Sequence, residues 1–460
     1  MQHRTISTSQ SSPIFRAESW RNGTPLLTNA ALLLFGAIML EFTRAGVGEY
    51  QHYVHGFSET VLTQIVLYLG AILLLERYPT NNWTLRIILL IALSERLMAV
   101  IAPPFLSTDI YRYVWDGLVQ GAGINPFRYI PADSHLAFLR DASIYPNINR
   151  RDYAHTIYPP GSQIIFWAVT RISPTVTSMK LAMVGFEAAT CYVLIQCLHL
   201  LHQQPERVLL YAWHPVCLWE IASSGHADAA ALTFISLALL ARLTNRDNLA
   251  GGWLGAAALV KLYPIALLPA FSRGWRWPPA WVAFGVTAAG YLLYLRVGAA
   301  VLGFLPSYAQ EEGMKSGTRY FPLAFLDRTL HVTIPTSAYL AMCVAAFGAL
   351  AWWAYRRGAT PEACVSSGLV LATALTLCFS PHYSWYFLWL LPFLTLWPWR
   401  PAFFLVLAPT YLLTTKLGVP GESMYQLNCL LYGGFFALLA YDWLSDHAPK
   451  LLTRKTTEIP

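Results

Sequence analysis

Charge is the scarcest resource in this chain. Asp, Glu, Lys and Arg together supply 12% of its 460 residues, against roughly a quarter in an ordinary soluble domain. A water-facing surface of normal extent cannot be built from so few, which excludes a soluble globular protein. Pairing signals for cysteine are missing as well. The seven cysteines, Cys191, Cys197, Cys217, Cys343, Cys364, Cys378 and Cys429, lie mostly inside apolar runs with no Cys-x-x-Cys among them, so they read as small packing residues. No Asp-x-Asp pair and no His-carboxylate group at ligand spacing occurs, and no metal or other cofactor is expected. Basic and aromatic residues are not interleaved as a nucleic-acid surface would need. There is no repeat of fixed period, no stretch that stands as a soluble domain, and no secretory signal ahead of the first apolar run.

Apolar residues are what the chain has in abundance: 56% of the total, with a positive mean hydropathy of +0.43. Runs near the length needed to cross a bilayer, about 20 residues of helix, recur from residue 25 onward. They fall near 25–42, 60–76, 84–102, 162–176, 178–201, 207–224, 227–242, 250–270, 278–297, 335–355, 363–379, 384–398, 400–416 and 427–444. Backbone groups in lipid must be satisfied within the segment, and strand alternation is absent, so the reading is an all-α polytopic membrane protein of about 12–14 spans forming one integral domain.

Orientation follows from the basic residues, which give the chain a net charge of +7. The polar N-terminal tail, 1–24, holds Arg4, Arg16 and Arg21 and is assigned to the cytoplasm, as is the C-terminal tail, 445–460. Alternation then leaves the basic stretches at 77–86, 273–276, 356–357 and Arg400 inside, with Arg242 and Arg246 as the exception. Three polar segments fall outside: 103–161, 303–334 and the short "SPHYSW" from Ser380 to Trp385. Function is expected there. The first is too long to be a simple connection and should have structure of its own.

Within it, Pro103 and Pro104 stop one helix and Ser107 or Thr108 caps another that starts at Asp109. Asp109, Arg112, Tyr113 and Asp116 then share one face of that helix, opposite Tyr111, Val114, Trp115 and Leu118. The pattern predicts an amphipathic helix lying on the outer membrane surface with its acidic face toward an aqueous pocket. At the first turn, Asp109 sits where amide groups and the helix dipole favour a carboxylate, the form a general base requires. A simpler reading stays open: Asp109 only caps the helix, and Asp116 only pairs with Arg112.

The segments "TDIYRYVWDGLVQGAGINPF", "TIYPPGSQ", "GHADAAA", "VKLYPIALLP" and "SPHYSWYFLWLLPF", in this order, resemble the polyprenyl-phosphate-dependent glycosyltransferases of the GT-C superfamily. Within these the chain is most similar to the alpha-mannosyltransferases of glycosyltransferase family 87. The resemblance implies a multi-span helical enzyme of the bacterial inner membrane whose first large periplasmic loop carries a catalytic aspartate. It also implies a polyprenyl-phosphate sugar as donor, a glycan or glycolipid outside the cytoplasm as acceptor, and membrane lipid as surroundings. By it Asp109 becomes the first choice for the base and Asp116 the second. The sequence departs from the family in placing two extra apolar runs ahead of the loop.

Other residues follow from the chemistry expected at the leaving phosphate, where cations would stabilise developing charge. Lys261 is a charge inside an apolar run, functional by default in a membrane, although it can also snorkel. Arg319 in "SGTRYF", Arg128 after "NPF", and His382 in "SPHYSW" are the further candidates for phosphate or sugar, with Arg112, Tyr113, Tyr158 and Tyr383 lining the substrate; interfacial aromatic anchoring is the alternative for the tyrosines. His226 and Asp228 of "GHADAAA" fall toward the cytoplasm under strict alternation. They join the site only if 208–240 forms half-helices meeting inside the membrane; otherwise they are a structural polar pair. The competing function is a transporter or flippase of a lipid-linked saccharide, which would show internal repeats and midplane charge pairs.

The charge distribution makes a direct prediction. In a background without native cysteine, single cysteines at Ser134 and Ser316 should react with an impermeant thiol reagent from the periplasmic side, and one at Ala359 should not. The reverse labelling pattern would overturn the orientation.

Overall fold

Proline decides where many of these helices begin. It lacks the N–H that would go unpaired in a first turn, and its φ is already helical. The computed structural model describes residues 24–48, 54–272, 278–357, 360–417 and 421–455, and every regular element among them is helical. The expected tail at 1–23 and the site at Ala359 lie outside the described residues, as do 456–460 of the C-terminal tail; the remainder of that tail continues the last helix to Lys455.

Helix α1 (Pro25–Val47) starts on a proline. Helices α2 (Val54–Arg77) and α3 (Asn82–Ile101) follow, the latter opened by a reciprocal cap between Asn81 and Thr84. Asn29 of α1 completes that cap, since the Thr84 hydroxyl donates to its side chain at 2.7 Å. Next come α4 (Asp109–Gly121), α5 (Pro160–Ile172), α6 (Val176–Leu200), α7 (Asp228–Leu243), α8 (Asp247–Val260) and α9 (Pro278–Leu292). Helices α10 (Leu305–Glu311), α11 (Phe321–Leu330), α12 (Thr336–Arg357), α13 (Pro361–Phe379), α14 (Arg400–Leu407) and α15 (Gly421–Lys455) complete the main series.

The protein is an all-α polytopic membrane protein, but its helices do not match the expected spans one for one. Six described helices are long and apolar enough to cross a membrane: α1, α6, α12, α13, Gly56–Arg77 of α2 and Ser423–Ser445 of α15. A seventh span arises if α9 and Leu295–Glu311, bent by 112° at their junction, count together. The runs expected at 162–176, 227–242 and 250–270 are instead helices of 13, 16 and 14 residues (α5, α7 and α8). At about 1.5 Å per residue each falls short of a bilayer core of about 30 Å. The run at 207–224 is more broken still: turns at Pro205–Val208, Leu209–Ala212 and Pro215–Cys217, then a π-helical turn at Leu218–Ser223. Prolines at 205, 215, 264, 269, 392 and 401 interrupt these apolar stretches. A hydropathy window does not register such breaks.

The two extra N-terminal runs are helices fastened to this broken segment. The indole of Trp219, in the π turn, donates to Gln64 at 2.8 Å; Gln64 donates to Thr43, and Thr43 to Glu95. Arg96 beside it pairs with Glu187 of α6 at 3.3 Å, entirely out of solvent. In contrast, α12 and α15 expose large apolar side chains such as Met342, Val344, Trp352, Leu430 and Phe436, as a lipid-facing surface would.

Helix α4 is not laid on a surface. Ile110, Arg112, Tyr113, Val114, Trp115, Asp116, Gly117 and Val119 are all buried, so the polar face predicted for water faces protein. Its approach to α5 depends on Gly117, where a Cβ would lie 2.5 Å from the Phe166 carbonyl oxygen and from the Thr170 hydroxyl. Replacing Gly117 with Ala should therefore cost about 1–3 kcal/mol by overpacking, despite alanine's better helix propensity. Gly185→Ala, with open space around its Cβ, serves as control in thermal unfolding of the purified protein. Equal midpoints for the two variants would mean that α4 and α5 do not touch there.

Candidate active site

The residue that opens α4 also opens the site. Thr108 occupies the cap position without a side-chain cap bond, and the Asp109 N–H is taken by Ser107 Oγ at 3.3 Å. The Asp109 carboxylate is thus spared from capping its own helix. Its Oδ1 accepts from Asn149 Nδ2 at 2.6 Å, its side chain keeps 23% exposure, and Oδ2 lies 4.0 Å from His226 Nε2.

All three polar segments singled out in the sequence converge around it. The Phe304 N–H donates to the Thr156 carbonyl at 3.1 Å, fastening 303–334 to 103–161. Arg150 Nε donates to Glu311 Oε1 at 2.6 Å, with Glu312 3.9 Å from the same guanidinium. Glu312 also pairs with Arg319, whose carbonyl oxygen stands 3.1 Å from His382 Nε2. Tyr308 and Tyr386 bring their hydroxyls to 3.4 Å, which ties the same loop to the segment after α13.

A fourth contribution comes from the broken apolar stretches. Lys261, where α8 stops, places Nζ 3.0 Å from Asp228 Oδ2, and Tyr263 donates to Asp228 Oδ1 at 3.3 Å. That ammonium lies 5.9 Å from the centre of the Tyr158 ring and 5.7 Å from that of Tyr386, within cation–π range. Tyr383 stacks on Trp385 at 4.4 Å, and Trp385 in turn packs against His226. Burial and the nearby Glu312 push the Tyr383 hydroxyl up to about 12, so it acts as a neutral donor at physiological pH.

The apolar stretch at 205–223 is broken into short turns, and the chain after it brings His226 to within 4.0 Å of Asp109. Gly225, at φ +77°, makes the approach, because a Cβ there would meet Ile110 Cδ1 at 2.2 Å. A side chain there would have to displace Ile110 and would be strained by the positive φ.

The arrangement brings Asp109, Tyr158, Lys261, Arg319 and Tyr383 into one region and leaves other expected residues elsewhere. Arg128 is exposed and packs over Tyr129, 5.2 Å from the ring centre. The His382 side chain is exposed and rests on the Arg319 carbonyl. Tyr113 is buried between Tyr158 and Phe166. Asp116 is also buried, its oxygens accepting from Arg112 at 2.7 Å, from Gln163 at 3.0 Å and from Thr156. Arg112 spends its remaining reach on the Ala154 carbonyl at 3.1 Å. This pair was expected at an aqueous surface. It instead sits inside the joint between α4 and the chain leading into α5, because the polar face of α4 has loop 154–163 packed over it.

Arg150 and Glu220 are site residues that sequence reasoning missed. Arg150 is one of three basic residues in "NRRDYAH", with nothing to mark it until the loop folds. Glu220 lay within an assumed span, where an intramembrane carboxylate was itself the available signal.

Residues 27–277, just over half of the chain, match the MptA_B family, described as alpha-(1->6)-mannopyranosyltransferase, N-terminal domain. The chain belongs to this family. Comparison with curated proteins and with solved structures gives no match. Family membership makes the protein a membrane glycosyltransferase of the alpha-mannosyltransferase kind. The matched range starts within α1, so the extra N-terminal helices of this mannosyltransferase belong to the family's own pattern. It also contains Asp109, Arg150, Glu220, His226, Asp228 and Lys261. The segments holding Arg319 and Tyr383 lie beyond it and enter by contact alone.

Burial changes what Asp116 is worth. An exposed pair with Arg112 would contribute about 1 kcal/mol or less, whereas Asp116→Asn leaves a buried guanidinium without its counter-charge and should destabilise by about 3 kcal/mol or more. Chemical or thermal unfolding of the purified variant measures this. A loss below about 1 kcal/mol would show that solvent reaches the pair.

Proposed function

We infer that the protein transfers a mannosyl group from a polyprenyl phosphate to a hydroxyl of a glycan or glycolipid, on the periplasmic side of a bacterial inner membrane, with Asp109 as general base. Mannosyl transfer follows from the family. The observation that carries the rest is the placement of Asp109: a partly exposed carboxylate, held on one oxygen by Asn149, at the meeting point of three polar segments with Arg150 and Lys261 close by.

The chemistry is a single displacement. The acceptor oxygen attacks the anomeric carbon as Asp109 takes its proton, and the bond from that carbon to the phosphate oxygen breaks with its electron pair on the phosphate. An alpha product formed with inversion requires a beta-linked donor. The family's description names an alpha-(1->6) linkage, so the acceptor group is a primary hydroxyl at C6, sterically open and well suited to proton abstraction by one positioned carboxylate. Lys261, Arg150 and Arg319 are the cations that would stabilise charge growing on the leaving phosphate. Tyr383 and Tyr386, both half-buried, offer aromatic surface to the sugar ring, with the buried Trp385 and Tyr158 packed behind them. Loops 103–161 and 303–334 form the periplasmic cap of this site. Asp116, Arg112 and Tyr113 support α4 from within.

The family match, which is to a mannosyltransferase, favours this reading over a transporter of lipid-linked saccharide. The deciding assay uses purified protein, polyprenyl phosphomannose and a mannoside acceptor. Asp109→Asn should fold and bind donor like the wild type while transfer falls by at least about a hundredfold. Equal rates in wild type and variant would remove Asp109 from the reaction, and no transfer by the wild type would refute the enzymatic reading.

A further inference from the structure

The geometry points to a proton path that leads from Asp109 through His226 to Glu220, and this inference rests on the assignment of Asp109 as base. His226 lies between the two carboxylates. Its Nε2 is 4.0 Å from Asp109 Oδ2, and its Nδ1 is 3.2 Å from Glu220 Oε2. Glu220 is fixed from its other side, because Oε1 accepts from the Ser384 hydroxyl. The ring is buried against Trp385, 4.1 Å between centroids, which limits its rotation.

Three buried polar atoms, His226 Nδ1, His226 Nε2 and Glu220 Oε2, make no hydrogen bond of good geometry. Such atoms are costly to keep in a protein interior, and a structural histidine would be expected to satisfy at least one ring nitrogen. Here each instead lies near a carboxylate that belongs to another turn of the chain, 3.2 Å from Glu220 Oε2 and 4.0 Å from Asp109 Oδ2. The separation from Asp109 exceeds a hydrogen bond; a bridging water or a small rotation of the partly exposed Asp109 side chain spans it.

Imidazole can take a proton on one nitrogen while releasing one from the other. The path requires the ring to start with its one proton on Nδ1, on the Glu220 side, and Nε2 free to accept on the Asp109 side. The acceptor's proton moves to Asp109 as the glycosidic bond forms. Asp109 passes it to Nε2 while the Nδ1 proton passes to Glu220 Oε2; one proton is displaced, and no electron leaves the site. Asp109 is a carboxylate again before the products leave, and the acid needed for the reverse reaction has been removed. Glu220 holds the proton until products depart and water enters.

Charged and titratable groups face the ring from several elements: Asp109 from α4, Glu220 from the π turn, Asp228 from α7 with Lys261 paired to it, and Tyr383 beyond Trp385. Lys180 of α6 lies against Gly225 with its ammonium on the carbonyls of Ala99 and Ala102. Arg150 bears on Asp109 from the loop. Among the described residues, only the two carboxylates pair with ring nitrogens.

The full-length protein is assayed with polyprenyl phosphomannose and a mannoside acceptor over a pH range of about 5 to 9, with kcat and KM resolved. His226→Gln keeps an amide of similar reach but cannot relay. It should lower kcat at least about tenfold, leave both KM values within about twofold, and displace the acid limb of the kcat profile. Glu220→Gln should act in the same direction, and it carries the test if His226→Gln does not fold. An active wild type, an inactive Asp109→Asn, and unaltered kcat and pH profile in both relay variants would overturn the path while leaving the base in place. A rise in KM alone would make His226 a binding residue and overturn it equally. Should Asp109→Asn remain active, the base assignment fails first and the path with it.

Discussion

A charge buried in this protein must find its partner inside the protein. With charged residues at 12% of the chain and lipid around much of the surface, each ion withdrawn from water costs several kcal/mol unless it is paired and hydrogen-bonded. Arg96 pairs with Glu187 and Lys261 with Asp228 between segments distant in sequence, the part-exposed Arg150 reaches Glu311 across two loops, and Arg319 pairs with Glu312 within one loop. The first three therefore select one packing arrangement over others that would bury apolar area equally well. The Arg112–Asp116 pair is local to α4, but Thr156, Gln163 and the Ala154 carbonyl close over it. It thus fixes the orientation of the helix that carries Asp109.

This constraint explains which parts of the architecture were legible. The start of α4 at Asp109 could be read because Pro103 and Pro104 end one helix and a cap residue precedes the next. The three polar segments were grouped by counting alternate spans, and although the helices do not follow that count, the segments do meet, through Phe304 with Thr156, Arg150 with Glu311 and Tyr308 with Tyr386. The environment of α4 could not be read. Periodicity identifies a polar face without saying whether water or another segment covers it, and here the covering segment comes from some forty residues later in the same loop, at Ala154, Thr156 and Gln163. Span count was illegible for a related reason. A short helix buried on all sides and a true membrane span have the same hydropathy, and only the prolines at 205, 215, 264 and 269 hinted at the difference.

Half-helices are also what allow charge to reach the site. Helix α8 ends at Val260, so Lys261 is free to turn toward Asp228 where a continuous helix would hold it in its own apolar stripe. The π turn at Leu218–Ser223 ends in Gly225, and that residue's positive φ delivers His226 to Asp109. Sequence order puts His226 and Asp228 on the wrong side of a simple alternating count; broken backbone brings them back. Non-helical backbone at such depth is tolerable where protein covers it, and this stretch is buried throughout.

Lys261, Arg150 and Arg319, the cations proposed for the phosphate, are each matched by a carboxylate, which has a consequence for the proposed reaction. Three unpaired cations would bind the ground-state phosphodiester tightly and gain little on passing to the transition state, since uniform binding does not raise kcat. Lys261 shared with Asp228, Arg150 with Glu311 and Arg319 with Glu312 leave a field close to neutral toward a singly charged donor. As the glycosidic bond breaks, a second negative charge grows on the leaving phosphate. Paired side chains can reorient part of their hydrogen bonding toward it at that stage, when their stabilisation has the greatest effect on rate. On the same argument, a neutral replacement of Lys261 exposes the buried Asp228 carboxylate to the site, so it alters both the phosphate's surroundings and the charge felt by Asp109.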